Sequence, residues 1–370
     1  MPWQTKTLDQ HVTDAQRAFN ANLPGADAAL ARNNLKPMAM VLGGGFDELT
    51  RFAAWAADQR FVLTCDADQL DRHGAEMKPP VPRKEPAQAR GPVTVTAAGA
   101  ISLATGSVLA RSDGVQFTVD AGIVLAGAGT ATVQVTAVLA GADGSSDAAV
   151  VLAPVSGLTG TAVFAVSADG LGGGADRESH GAYKARLLFA KAFPEHAGAP
   201  ADWLRYTLAI PGVTRAFIEP LGHGRGTVVV YPFFDLTRPN GIPLESDRAQ
   251  VLSALLVAGP GAGQPVVRIA EAVPVDVAYS DLSPSTPEVR QAVAAEVANT
   301  FFINSRVAGN AEPHPSMPFL ATPASFSRSW LWQAAANASG EQRHVLVTPA
   351  SDPVLTSGQT AVLGTLSFQG

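Results

Sequence analysis

Between Pro92 and Gly174 the chain carries no lysine and no glutamate, and Arg111 is its only base. Valine, threonine, alanine and glycine dominate this stretch. Short alternating runs recur in it (VTVTA, VQFTV, ATVQVTAV, TAVFAV), each bounded by glycine, aspartate or serine. A period of two with such punctuation predicts the strands of a small antiparallel β domain. In SDGVQFTV, Ser-Asp-Gly reads as the turn before a strand, with glycine free to take positive φ. So weakly charged a β surface needs cover or controlled edges, because open edges pair with other chains. Packing against neighbouring chains is one form of cover.

The flanks read differently. Leu8, Val12, Ala15, Phe19 and Leu23 recur at spacings of three and four, the stripe of an amphipathic helix that ends at Pro24-Gly25. The stripe fits an ordinary helical domain, and it fits equally a helix that pairs with helices of other chains. A second helix is expected from Asp27, with Lys36-Pro37 and Gly43-Gly44-Gly45 as breaks. A third is expected from Asp47 through Phe52 to Arg60, and a short one over Ala67 to Asp71. Lys78 to Arg90 (KPPVPRKEPAQAR) reads as an extended, Pro-rich linker, with Arg83-Lys84 solvated within it.

Beyond Gly174 helices return. Asp176 to Ala192 is expected to be helical, and ADWLRYTLAIPGVTRAFIEP reads as a helix running into a strand. Pro200 suits a first helical turn, Asp202 complements the macrodipole, and Pro211-Gly212 stops the helix. Ser246 or Asp247 is expected to cap a helix holding Leu252 and Leu255. VVRIAEAVPVDVAYSDL reads as one long strand. Val289, Val293, Val297 and Phe301 mark a further helix, and another is expected from Ser316 through Phe326 to Leu331. HVLVTP and TAVLGTLSF are the closing strands. The fold class is therefore α+β and multidomain: an N-terminal helical segment, a central small antiparallel β domain and C-terminal α+β domains. The expected limits are 1–77, a linker at 78–91, 92–174, 175–282 and 283–370.

A net charge of −6 argues against a nucleic-acid binder, which shows a basic face. One cysteine, Cys65, permits no intrachain disulfide and closes no thiolate zinc site. MPWQTKTLDQHV has no apolar core, so no signal peptide is expected, and no apolar run reaches the about 20 residues of a membrane span. The seven histidines form no tight ligand pair. CDADQLD (Cys65 to Asp71) lacks the glycine and the bidentate glutamate of a calcium loop and reads as a helix start. GHGRG (Gly222 to Gly226) lies between strands and reads as a hairpin turn rather than a phosphate cradle. GLGGGAD reads as a hinge or turn before a helix capped by Asp176, and Asp176 and Glu178 as dipole partners at its start. No catalytic, cofactor-binding or metal-binding residues are assigned, and no enzyme activity is expected.

The order of segments carries more than any single motif. ADQLDR (Ala67 to Arg72), GSVLARSDGVQFTV (Gly106 to Val119), GGADRES (Gly173 to Ser179) and DWLRYTLAIPGV (Asp202 to Val213) together resemble the baseplate J-like family of contractile-tailed phages. The chain departs from the family's habit in two turns, EHAGAP and DGSSDA. The resemblance implies a structural subunit of a baseplate wedge in a phage tail or related contractile particle. Such subunits form the ring around the hub and transmit the change that triggers sheath contraction. It implies a second copy of the chain and a different wedge subunit as partners at the N-terminal helices. Neighbouring wedges, the hub and sheath-initiating proteins are implied as further partners, with assembly in the host cytoplasm and residence in the virion tail. No nucleic acid, membrane span or cofactor is implied. Leu8, Val12, Ala15 and Phe19 are the candidate contact residues. A carbohydrate-binding or adhesive β module is the alternative, and it would need an aromatic platform where the β domain offers Phe117 and Phe164. A hydrolase of the same particle is the remaining rival; it would need paired carboxylates or a metal site.

Overall fold

A computed structural model describes residues 5–30, 33–261 and 263–369. The chain forms two compact units, 1–82 and 83–370.

The first unit is helical: α1 (Leu8–Asn22), α2 (Leu35–Asp58) and α3 (Ala67–Glu76). α1 opens with a capping box, in which the Thr7 hydroxyl accepts from the Gln10 amide (3.4 Å) and the Gln10 side chain accepts from the Thr7 amide (2.9 Å). Asp27 to Leu30 is a turn rather than a helix. α2 runs unbroken through both expected breaks. Pro37 falls in its first turn, where a missing N–H removes no intrahelical bond. Gly43 lies where a Cβ would come within 2.6 Å of Val12 Cγ2 and 2.8 Å of the Val12 nitrogen. The glycine lets α1 and α2 approach backbone to backbone. Tertiary contact thus overrides the low helix propensity of glycine.

The second unit begins with a barrel. Its strands are β1 (Arg90–Ala97), β2 (Ile101–Leu103), β3 (Val108–Ala110), β4 (Gln116–Val119), β5 (Ile123–Leu125), β6 (Gly129–Ala137), β7 (Val151–Pro154), β8 (Leu158–Thr159) and β9 (Ala162–Val166). The order β1-β6-β4-β3-β7-β9 closes on itself, every pairing antiparallel, and β5-β2-β8 form a small second sheet. Closure removes the open edges that the low charge makes hazardous. Val93, Val95, Leu109, Phe117, Val135, Leu152 and Phe164 fill the interior. Arg111, the lone base, pins the loops at one end through Asp113 (2.6 Å), Asp143 O (2.7 Å) and Ser145 O (2.8 Å).

Then come α4 (His180–Ala192), α5 (Pro200–Leu208), β10 (Arg215–Pro220), β11 (Thr227–Phe233), α6 (Glu245–Ala258) and β12 (Gln264–Val267). The sheet order is β10-β11-β12, with β11 and β12 parallel. α4 starts at His180 because Ser179, not Asp176, caps it, its hydroxyl accepting from the Ala182 amide (3.3 Å). α6 has Leu244 at the cap position, and neither Ser246 nor Asp247 stands there. The expected single strand over 266–282 is two strands in different sheets. β13 (Glu271–Ser283) is the centre of the last sheet, followed by α7 (Pro287–Asn304), α8 (Arg328–Asn337), β14 (Arg343–Thr348) and β15 (Gln359–Gln369). Its order is β14-β13-β15, so this sheet begins at Glu271, ahead of the expected limit at 282. Val289, Val293, Val297 and Phe301 of α7 face its core, where Phe301 stacks on Phe326 at 4.4 Å. Residues 316–327 are irregular rather than helical; α8 starts after Ser327, whose hydroxyl accepts from Ser329 N. The whole is α+β.

Candidate interaction surfaces

α2 is two-faced. Ala39 and Gly43 are buried on one side, and Phe46 stacks against His11 of α1. On another side stand Met38, Leu42, Gly45, Leu49 and Phe52, at spacings of four, three, four and three. That is the seam of a two-stranded helical pairing. Leu49 and Phe52 are 64% and 61% exposed, and Met38 is 54% exposed. A Cβ on Gly44 or Gly45 would meet nothing. The free apolar face of the first unit is therefore on α2.

The α1 stripe is placed otherwise. Ala15 is buried, Val12 and Phe19 are half-buried, and Leu8 is exposed. Val12 abuts α2 at Gly43, so part of this stripe is used inside the unit. The signal on α2 was present in the sequence as Met38, Leu42, Leu49 and Phe52. Reading three glycines as a break divided the stripe.

The second unit invests its buried charges in joints. Asp247, 1% exposed, accepts from Arg238 Nε (2.7 Å) and Nη2 (3.2 Å), from the Leu244 amide (3.0 Å) and from the Gly173 amide (3.1 Å). Arg238 also donates to the Leu171 carbonyl (2.9 Å) and Asp147 (3.3 Å). The glycines of GLGGGAD therefore form no simple hinge. They bring backbone against α6: a Cβ on Gly172 would lie 2.2 Å from an Asp247 oxygen, and one on Gly173 1.9 Å from Gln250 Oε1. Glu178 does not serve the dipole of α4; Arg186 holds it through two bonds of 2.9 and 2.6 Å. Asp176 instead accepts from the Ala142 amide (3.0 Å). Asp202 does more than complement a dipole. It is fully buried and accepts from the amides of His196 (3.0 Å), Gly198 (2.9 Å) and Ala199 (3.0 Å). Glu219 accepts from the Asn310 amide (2.9 Å) and side chain (3.1 Å), and from the Tyr231 hydroxyl at 3.4 Å. Burial first, and then the charge of Glu219, raises the Tyr231 phenol above its ordinary range. These carboxylates are saturated by their own chain.

Arg83-Lys84 is not a solvated pair. Arg83 is buried over the Tyr183 ring (4.6 Å) and donates to the Glu178 carbonyl (3.1 Å). GHGRG is the turn between β10 and β11, with His223 Nδ1 3.0 Å from Arg268. Among the described residues, no group of three or more His, Cys, Asp and Glu is placed to hold a metal ion. No helix among them is long and apolar enough to cross a membrane. Phe117 and Phe164 are both fully buried in the barrel, which removes them as a surface platform.

The class this defines is a modular protein built on internal joints, with an uncovered helical seam on α2. The profile of the Baseplate J-like protein barrel domain matches residues 92–173, and that of the Baseplate J-like central domain matches 195–308. Over 321 residues the chain is 29% identical to the baseplate protein gp47 of Escherichia phage Mu, covering 84% of this chain and 88% of that one. It is 28% identical to the Mu-like prophage FluMu protein gp47 of Haemophilus influenzae, across 100% of both chains. A cryo-EM structure of the anti-feeding prophage baseplate aligns with a TM-score of 0.38 and 12% identity, over 96% of this chain and 97% of that one. The chain belongs to the baseplate J-like family.

Proposed function

We propose that the chain is a structural subunit of the baseplate wedge of a contractile phage tail or a related injection particle, with an architectural and not a catalytic role. The observation that carries the reading is the heptad-spaced, uncovered seam of α2. Its relatives' names and the family support the same reading. In this reading the seam pairs with a second copy of the chain and with a different wedge subunit. Leu8, Val12, Ala15 and Phe19 of α1 complete the bundle, in part by bracing α2. The second unit contributes to the ring around the hub and transmits the change that triggers sheath contraction. Assembly occurs in the host cytoplasm, ahead of residence in the tail baseplate.

Fully burying one large apolar side chain contributes about 1.5–3 kcal/mol, so four half-exposed ones contribute on the order of 4 kcal/mol per helix before ordering costs. Light scattering on the chain alone, and on the chain co-expressed with the proteins of its tail cluster, tests the reading. The expected species holds two copies of this chain and one partner. Phe52→Asp should abolish it while leaving the circular dichroism unchanged, because Phe52 is largely exposed. Phe19→Asp should also abolish it. A monomer that ignores every tail protein, or normal assembly by both variants, would refute the proposal.

A further inference from the structure

Two surfaces of the second unit match each other in chemistry and do not meet within one chain. The first is a groove of about 580 Å³ at one end of the barrel. Val115, Val138 and Leu139 give it an apolar wall, and Leu139 is 80% exposed. Asp113, Asp143 and Asp176 line it with carboxylates. Arg111 already holds Asp113 (2.6 Å), and Arg177, next to Asp176, pairs with Glu85 (3.7 Å). Asp143 and Asp176 have no basic side chain as partner among the described residues. The surplus is general to this stretch: between Pro92 and Gly174 five aspartates stand against Arg111 alone.

The second surface is the turn LGHGRG (Leu221 to Gly226) between β10 and β11. It carries no acid. Arg225 is exposed, and Arg268 adds a second guanidinium, which donates to His223 Nδ1 (3.0 Å). Leu221 is 62% exposed and takes φ +59°, a left-handed conformation that glycine adopts more readily. The turn is held in shape. The Leu221 amide donates to the Thr227 carbonyl (2.9 Å), the Gly224 amide to the Leu221 carbonyl (2.9 Å), and the Thr227 hydroxyl to the Gly224 carbonyl (2.7 Å). Its glycines leave Leu221, His223 and Arg225 as its side chains, so the turn is thin as well as fixed. Such a turn has little freedom left to lose on binding.

We propose that this turn of one copy docks in the barrel groove of another, with Arg225 against Asp143 and Asp176 and Leu221 against Val138 and Leu139. The inference goes beyond the wedge reading and does not depend on it, since neither surface includes α2. A second copy is the occupant because one chain carries both halves of the match, apolar with cationic and apolar with anionic. Within the chain the turn does not line the groove. Groove against groove would set carboxylate against carboxylate, and turn against turn would set guanidinium groups together. The contact is therefore heterologous, turn into groove, and adds copies head to tail. Its charges are exposed, so they orient neighbours and salt screens them.

Sedimentation velocity of the full chain carrying Phe52→Asp tests this, because that substitution removes the α2 seam as a cause of association. The mass should climb with concentration past a dimer, and about 0.5 M salt should weaken association about three-fold or more relative to about 0.1 M. In the same background Arg225→Glu and Asp143→Lys should each weaken it about ten-fold or more, since like charges then meet. Both side chains are exposed, so circular dichroism should not change. Arg225→Glu and Asp143→Lys together in one chain should restore association, the reversed charges attracting again. A parent that stays monomeric, or association indifferent to salt, overturns the proposal even if no charge variant folds. Single variants that associate normally, or a double variant no better than the singles, overturn it too. None of these outcomes bears on the seam, which is read from the complex with tail proteins in the chain that keeps Phe52.

Discussion

Replacing Asp247 by alanine should strip the joint between barrel and α+β region of its central acceptor. Four donors converge on this carboxylate within 3.2 Å: two from Arg238, the Leu244 amide and the Gly173 amide. The two side chains are 2% and 1% exposed, so water cannot readily replace the lost partner. Arg238 would keep the Leu171 carbonyl and the longer contact to Asp147. Breaking a buried ion pair from one side costs about 3–5 kcal/mol, and α6 also loses the reach-back bond to its cap. That is a large part of the about 5–15 kcal/mol that holds a typical domain. Urea titration followed by circular dichroism should show the midpoint fall accordingly. The double variant Arg238→Met/Asp247→Leu, which leaves no orphaned charge, should lie closer to wild type than Asp247→Ala does. A single variant within about 1 kcal/mol of wild type would refute the assignment of this pair as the pin of the joint.

Further outcomes follow from other sites. Gly43→Leu should splay α1 from α2 and lower the melting temperature of residues 1–82, because even its Cβ would sit 2.6 Å from Val12. Gly44→Ala, where a Cβ meets nothing, should stabilise α2 by about 1 kcal/mol in the same melt. Phe164→Ala should cost about 3–5 kcal/mol in a denaturant titration, since the ring is fully buried in the barrel. The hydrogen bond from Arg111 holds the Asp113 carboxyl down at about 2. A carboxyl-detected NMR titration should find it ionised to about pH 3, and Arg111→Gln should return it toward the ordinary range.

The sequence showed what depends on local pattern. The alternation of VTVTA and TAVFAV is enough to give strands, and the Val289-Val293-Val297-Phe301 stripe is enough to give α7, because each buries one face. Barrel closure was not legible, since it depends on which strand meets which. The partition of VVRIAEAVPVDVAYSDL between two sheets was hidden for the same reason: β12 lies beside β11, whereas β13 lies between β14 and β15. Glycine misled twice. In GGG it suggested a break where close helix packing was the cause, and in GLGGGAD it suggested a hinge where backbone had to approach Asp247 and Gln250. Both are long-range reasons for a residue whose local meaning is a turn. The α2 seam fell out of view with the first of these errors.

The buried acids of the second unit serve as joints. Asp202, Asp247, Glu178 and Glu219 are all nearly or fully inaccessible, and a buried carboxylate demands partners. Each takes them from a segment distant from its own element or from an adjoining loop: Gly173 and Arg238 for Asp247, the Lys84 amide for Glu178, Asn310 for Glu219, the 196–199 turn for Asp202. A general acid or base needs an open valence toward a substrate, and these groups have given theirs to backbone amides and guanidinium groups. What they provide is geometry: the barrel, residues 83–90 and the sheets of the second unit are fixed to one another at defined points. The first unit shows the converse economy. Its side chains Met38, Leu42 and Leu49 stand exposed on α2, though leaving them in water has a cost. The first unit thus keeps an apolar seam exposed, whereas the second satisfies its buried charges from within.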